Sequence, residues 1–252
     1  MRRTTVLLSL LAAIALMFPV PASALRVSGS TVIIPIIGRF PGANSTQWRT
    51  DVFIASHYTP GTTVNMTFYV TGGAPIVKTA TIGPFSLVAL RDIVLNTFNL
   101  SNAAGQLVLT SPTEIEFEAR ARIYNAGNAA GEFGQNAQGL GLPELSRQAF
   151  LYGLSGVNGN RVNVGVANPN ASAIDVTLIV NDKSNNFLYT TAFTVQPHET
   201  RQFNDIFASF GLTPQADVQV NFASEQVLFG YASEVRNDTG DAIFIVGSSP
   251  NS

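Results

Sequence analysis

Arg49-Thr50-Asp51-Val52-Phe53-Ile54-Ala55-Ser56 returns, weakened, as Arg161-Val162-Asn163-Val164-Gly165-Val166-Ala167-Asn168, 112 residues further on. That period is too long for a solenoid and suits a complete small domain. It predicts a duplicated module, so each half can be read against the other.

Val52 and Ile54, like Val164 and Val166, alternate with polar or small neighbours. A turn follows in each half, Tyr58-Thr59-Pro60-Gly61 or Pro169-Asn170-Ala171-Ser172. Val64, Met66, Phe68 and Val70 then keep period two, as do Val176, Leu178 and Val180. Such alternation marks strands with one buried face. Hairpin loops follow at Gly72 to Pro75 and at Asp182 to Asn186, where the repeat offset grows from 112 to 113.

After Pro84 and Pro197, apolar residues fall at helical spacing. Leu90, Ile93, Val94 and Phe98 do so in one half, and Phe203, Ile206, Phe207 and Phe210 in the other. They predict a short crossover helix with a buried face. In the last strand of the first half, Ile115, Phe117, Ala119, Ala121 and Ile123 are expected inward. Glu114, Glu116, Glu118, Arg120 and Arg122 are expected outward, and a one-residue slip would bury those five charges. Val227, Phe229, Tyr231, Ser233 and Val235 are the expected inward set of the second half.

Short strands with regularly spaced turns predict an all-β chain of two tandem antiparallel β-sandwiches, each with one short crossover helix. The expected modules are 25–125 and 148–252. Between them, 126–147 is rich in Gly, Ala, Asn and Gln. It reads either as a linker or as a loop packing along the junction through Phe133, Leu140, Leu142 and Leu145. Thr31 to Ile37 is strongly strand-forming, but Pro35 has no N–H to give a ladder and is expected at a sheet edge. Ala149 to Leu154 is its expected counterpart.

Residues 1–24 read as an export signal: Arg2 and Arg3, an apolar run from Val6 to Val20, then Ala22-Ser23-Ala24. That run is shorter than a membrane span needs. The expected product is secreted, whether extracellular, on the cell surface or periplasmic, with no integral span after cleavage. Of 14 basic residues two fall in the leader, leaving 12 against 16 acidic and a net charge of −4. Such a balance offers no footprint for nucleic acid. No cysteine occurs, so disulfides and thiolate chemistry are excluded.

Candidates for chemistry are few. His57 and His198 fall at different places in the repeat, and His198-Glu199 lacks the second His of a zinc-protease helix. Gly153-Leu154-Ser155-Gly156-Val157 lacks the final Gly of a nucleophile elbow. Asp182 to Asn186 and Asn237 to Asp241 are oxygen-rich but fall short of a calcium loop and suit hairpin turns. No cofactor and no catalytic or metal site is expected. Trp48, the lone tryptophan, has Arg49 beside it, while position 160 is Asn. It reads as a sugar platform or interface anchor, or as a plug at the end of the core. The candidate ligand or interface residues are Trp48, Arg49 and Tyr58. Arg49 with Asp51 recurs as Arg161 with Asn163, which favours a structural role such as tying a loop.

Trp48 to Val52, Gly131-Glu132-Phe133-Gly134-Gln135, Arg161 to Pro169 and Asn237 to Asp241 together resemble uncharacterised secreted bacterial repeat proteins of acidobacterial type. The strand pattern is also similar to immunoglobulin-like modules of bacterial surface proteins. The resemblance implies two immunoglobulin-like sandwiches and no established activity. The expected function is an exported, non-enzymatic surface, matrix or scaffold protein that engages protein or polysaccharide outside the cell. Two alternatives stand beside it. One is a carbohydrate-binding protein with a site near Trp48. The other is a fibre subunit that self-associates by strand addition through Thr31 to Ile37.

Overall fold

The structure, a computed structural model, describes residues 28–249. The leader expected over residues 1–24 lies outside them.

The first half holds β1 (Ser28–Gly29), β2 (Thr31–Pro41), β3 (Gln47–Ser56), β4 (Thr62–Val70), β5 (Ile76–Ile82) and β6 (Ser86–Leu90). A helical turn α1 (Ile93–Asn96) precedes β7 (Ala103–Thr110), β8 (Phe117–Asn125), β9 (Phe133–Gln138) and β10 (Leu140–Gly141). The second half holds β11 (Ser146–Leu154), β12 (Asn160–Ala167), β13 (Ile174–Asn181), β14 (Phe187–Val195) and β15 (Thr200–Phe203). It ends with α2 (Ile206–Phe210), β16 (Val218–Arg236) and β17 (Ala242–Val246). The chain is all-β, and the strand pairs are antiparallel throughout the described residues.

Each half folds its sheet into two layers because one strand passes through both. β2 pairs with β7 along most of its length and with β3 at Phe40 and Pro41. The 19-residue β16 pairs with β13 in its first part and with β12 and β17 in its last. Between the layers of the first half, Val52, Ile54 and Ala121 meet Val64, Met66, Phe68, Leu107 and Leu109, all buried. Val164 and Val166 meet Val176, Leu178, Val180 and Phe222 in the second. Full burial of such side chains contributes roughly 1.5–3 kcal/mol each.

Both crossover helices are present but shorter than the apolar spacing suggests, since Leu90 ends β6, Phe203 ends β15 and Phe98 lies beyond α1. α1 buries Ile93 and Val94, and α2 buries Ile206 and Phe207. Each is entered through an aspartate in the left-handed region, Asp92 at φ 42° and Asp205 at φ 45°. Aspartate tolerates that conformation better than most residues.

Four expectations need correction. Thr31 to Ile37 is an interior segment, paired with β7 on one side and β10 on the other. Pro35 is accommodated by a bulge, since the register shifts between Ile34 and Ile37. β11 shows the same shift between Leu151 and Leu154. Second, residues 126–147 are not a plain linker or loop: β9 pairs with β8 and β10 with β2. Leu140 and Leu145 are buried there, whereas Leu142 is exposed. Third, β8 starts at Phe117, and Glu114 lies outside it with φ 58°.

Fourth, the inward set of β16 is displaced by one residue. Ala232 and Gly230 stand opposite Val164 and Val166, as Ala121 and Ala119 stand opposite Val52 and Ile54. Leu228 and Ala232 therefore face the second core, while Phe229, Tyr231, Ser233 and Val235 face the first half. Residues 228–233 are buried on both faces. A strand covered on both sides carries no polar alternation to fix its register.

A candidate binding cleft between the halves

The outward face of β16 meets the first half. Phe229 and Ala167 pack with Ile33, Leu140 and Leu145, and Val235 joins the first core. Polar contacts flank this seam. The Thr200 hydroxyl donates to the Pro35 carbonyl at 2.5 Å, and Gln106 Nε2 donates to the Asn168 carbonyl at 3.3 Å. Tyr69 stacks on His198 with ring centroids 4.2 Å apart. Burial pushes the His198 imidazole below its ordinary pKa and the Tyr231 phenol above its own.

Beyond the seam the halves part and leave a cleft of about 780 Å³. Its floor is the outward face of β12 and β16, where Arg161 stands opposite Val235, Asn163 opposite Ser233 and Gly165 opposite Tyr231. Phe40, Pro41, Trp48 and Gln135 of the first half contribute to the lining, and Gln202, Asn204 and Asp205 complete the polar part. Gly165 is needed here, because a Cβ at that position would overlap the Tyr231 ring. Tyr231 then reaches Gln202 Oε1 with its hydroxyl at 2.9 Å, and Ser233 donates to Gln135 Oε1 at 2.8 Å across the seam.

The corresponding face of the first half has a different chemistry. Asp51 Oδ1 accepts the Asp92 N–H at 2.9 Å, and its other oxygen accepts from Arg91 at 2.6 Å. Asp92 pairs with Arg39 and lies 4.0 Å from Arg49. Phe53 sits under both Arg91 and Arg120. In the second half Asn163 Oδ1 accepts the Asp205 N–H at 3.0 Å, so the tie to the helix persists. Around it, however, Asn163 stands for Asp51, Gly165 for Phe53, Asn204 for Arg91 and Ser233 for Arg122. Arg49 and Asp92 keep charged counterparts in Arg161 and Asp205, while the rest of the network gives way to amides and a hydroxyl at the cleft.

The candidates from sequence do not form one site. Trp48 is only 9% exposed and belongs to the first core, with one face lining the cleft. Arg49 projects near Asp92 instead. Tyr58 lies beyond the far end of β3, which runs roughly 26 Å from Trp48 to Ser56 at about 3.3 Å per residue, and its hydroxyl donates to Glu116. His57 is exposed, 3.7 Å from Glu118. The Asp182 loop is closed on itself: Asp182 accepts the N–H groups of Ser184 and Asn186, and the Asn186 side chain holds its carboxyl below the usual range. The Asn237 to Asp241 turn docks on the first half, where Asn125 and Asn128 both donate to the Thr239 carbonyl. Among the described residues no group of three acidic or histidine side chains could hold a metal. Sequence reading missed Arg161, Asn163, Tyr231 and Ser233 as site residues. The signal that could have found them is the set of positions where the two halves differ in charge.

No family model matches the chain, and no curated protein matches it. Among solved structures, a Bacteroides uniformis β-glucuronidase is 8% identical with a TM-score of 0.17, over 84% of this chain and 25% of that one. A Parabacteroides merdae β-glucuronidase is 11% identical with a TM-score of 0.19, over 79% of this chain and 25% of that one. The chain spans about a quarter of the length of those enzymes. Likeness at that level carries no argument about this protein.

Proposed function

We propose that this is an exported, non-enzymatic protein of two duplicated, immunoglobulin-like sandwiches that binds polysaccharide outside the cell through the cleft between them. The observation that carries this reading is the exchange of an ion-pair network for amides at equivalent positions facing a cavity of about 780 Å³. A volume of that order accommodates a small ligand, and several convergent hydrogen-bonding groups favour a polyhydroxylated one. A binding role without turnover is supported by the charged lining, Arg161 and Asp205 alone. Glycoside hydrolysis ordinarily needs two carboxylates astride the bond. Export is supported by the leader pattern of residues 1–24.

The lone tryptophan reports directly on this reading, since Trp48 lines the cleft. Polysaccharide fragments identified by array binding are expected to shift Trp48 emission saturably and to be recovered unchanged. Failure of every glycan class to bind, or release of shortened products, would overturn it. Cell fractionation with N-terminal sequencing tests export, with Leu25 the expected first residue.

A further inference from the structure

Two amides of the cleft, Asn163 and Asn237, are oriented by donors that cannot accept. Asn163 Oδ1 is taken by the backbone N–H of Asp205 at 3.0 Å. Asn237 Oδ1 is taken by the Arg161 guanidinium at 2.6 Å and by the Asn44 amide at 3.3 Å. A backbone N–H and a guanidinium only donate, so both amide oxygens are spoken for. The NH₂ groups of Asn163 and Asn237 have no protein acceptor among the described residues.

Arg161 itself is 8% exposed, and among the described residues its guanidinium has one hydrogen-bond partner, a neutral one. No carboxylate lies within 4.0 Å of it among the described residues. Buried charges are ordinarily paired. Its counterpart Arg49 is far more open to solvent and has Asp92 at 4.0 Å. Among the described residues Asp205 is the one acidic group in the cleft lining; it acts on Arg161 electrostatically but from beyond ion-pair distance. The wall thus presents a guanidinium and two amide NH₂ groups against one carboxylate.

We infer that the cleft takes an acidic saccharide, with Arg161 as the specificity-determining residue that receives a uronate carboxylate flanked by the NH₂ groups of Asn163 and Asn237. This rests on the reading of the cleft as a polysaccharide site and names the class of polysaccharide. A guanidinium matches a carboxylate in plane and can donate two parallel bonds to it. Sugar hydroxyls can accept from these donors too, but a neutral glycan brings no negative charge to offset the buried guanidinium.

Titration calorimetry at low salt decides it, with three probes: a galacturonate oligomer, its carboxyl-reduced neutral counterpart, and acetate. The acidic oligomer is expected to bind about tenfold or more tighter than the reduced one. Arg161→Gln should erase that difference, and added salt should shrink it. Asp205→Asn supplies the opposite sign. Asparagine suits the left-handed backbone there, and the Asp205 carboxylate accepts no hydrogen bond from the described residues. For an anionic ligand this variant should bind equally or more tightly; for a neutral one it should bind more weakly. Equal binding of the acidic and reduced oligomers, or weakening by Asp205→Asn, overturns the acidic assignment and leaves the polysaccharide reading standing. Acetate binding as tightly as the oligomer overturns the saccharide part. Absence of binding by either oligomer overturns the inference, and the array experiment separately decides the wider reading.

Discussion

Asp51 Oδ1 accepts the backbone N–H of Asp92 at 2.9 Å, and this bond ties β3 to the start of α1 in the first half. The same tie recurs from Asn163 to Asp205 at 3.0 Å. What differs is the charge. A carboxylate paired with Arg91 holds the first tie, and a neutral amide beside a cleft holds the second. Structure is kept and surface chemistry is exchanged.

Removing these ties should therefore destabilise the two halves unequally. Asp51→Ala strands the Asp92 N–H and takes the partner from Arg91, at a cost of about 3 kcal/mol. Asn163→Ala strands only the Asp205 N–H, at about 1–2 kcal/mol. Denaturant unfolding of each variant gives the comparison, and equal losses would contradict the assignment.

The tie was legible in the sequence as Arg49 with Asp51 recurring as Arg161 with Asn163, because recurrence filters structure from accident. The helices were legible in part: Ile93 with Val94 and Ile206 with Phe207 are buried in them, whereas Leu90 and Phe203, from which the spacing is counted, end the preceding strands. The cleft was not legible. Its floor uses Tyr231, Ser233 and Val235, which alternate like core residues yet face the other half. Nothing local distinguishes a face buried against its own sandwich from one buried against a neighbour. Pro35 misled for a related reason: a proline excludes one ladder bond, and a bulge removes that bond without moving the strand to an edge.

Trp48 is a core residue before it is a cleft residue. At 9% exposure its emission in the free protein should be blue-shifted and poorly quenched by iodide. Trp48→Ala should cost about 3–5 kcal/mol, so a loss of ligand binding in that variant means little without a thermal melt beside it. Red-shifted, freely quenched emission would show that the indole is open.

His198 makes the junction pH-sensitive in a definite direction. Burial against Tyr69 lowers its pKa in the folded chain, so between that value and the ordinary 6.5 the unfolded chain holds the extra proton. Stability should be complete above about pH 6.5 and fall as pH drops below it. His198→Asn tolerates the local φ of 56° and removes the titrating group. The thermal midpoint of this variant should change less than that of the parent between pH 7 and 5. Parallel curves would place the effect elsewhere.

Gly165 and Tyr231 test whether the cleft floor is built as described. Their positions are directly opposed across β12 and β16, and the phenol crosses the space a side chain at 165 would need. Gly165→Ala should displace the ring, break its bond to Gln202 and cost roughly 1–3 kcal/mol as an overpacked site. Tyr231→Ala alone opens a cavity and costs about as much as other aromatic truncations, 3–5 kcal/mol. In the double variant the clash has no partner, so the combined loss should be smaller than the sum by about 1 kcal/mol or more. A double-mutant cycle by urea unfolding measures that coupling directly. Strict additivity would mean that Tyr231 does not lie over Gly165, and the floor of the cleft would have to be redrawn.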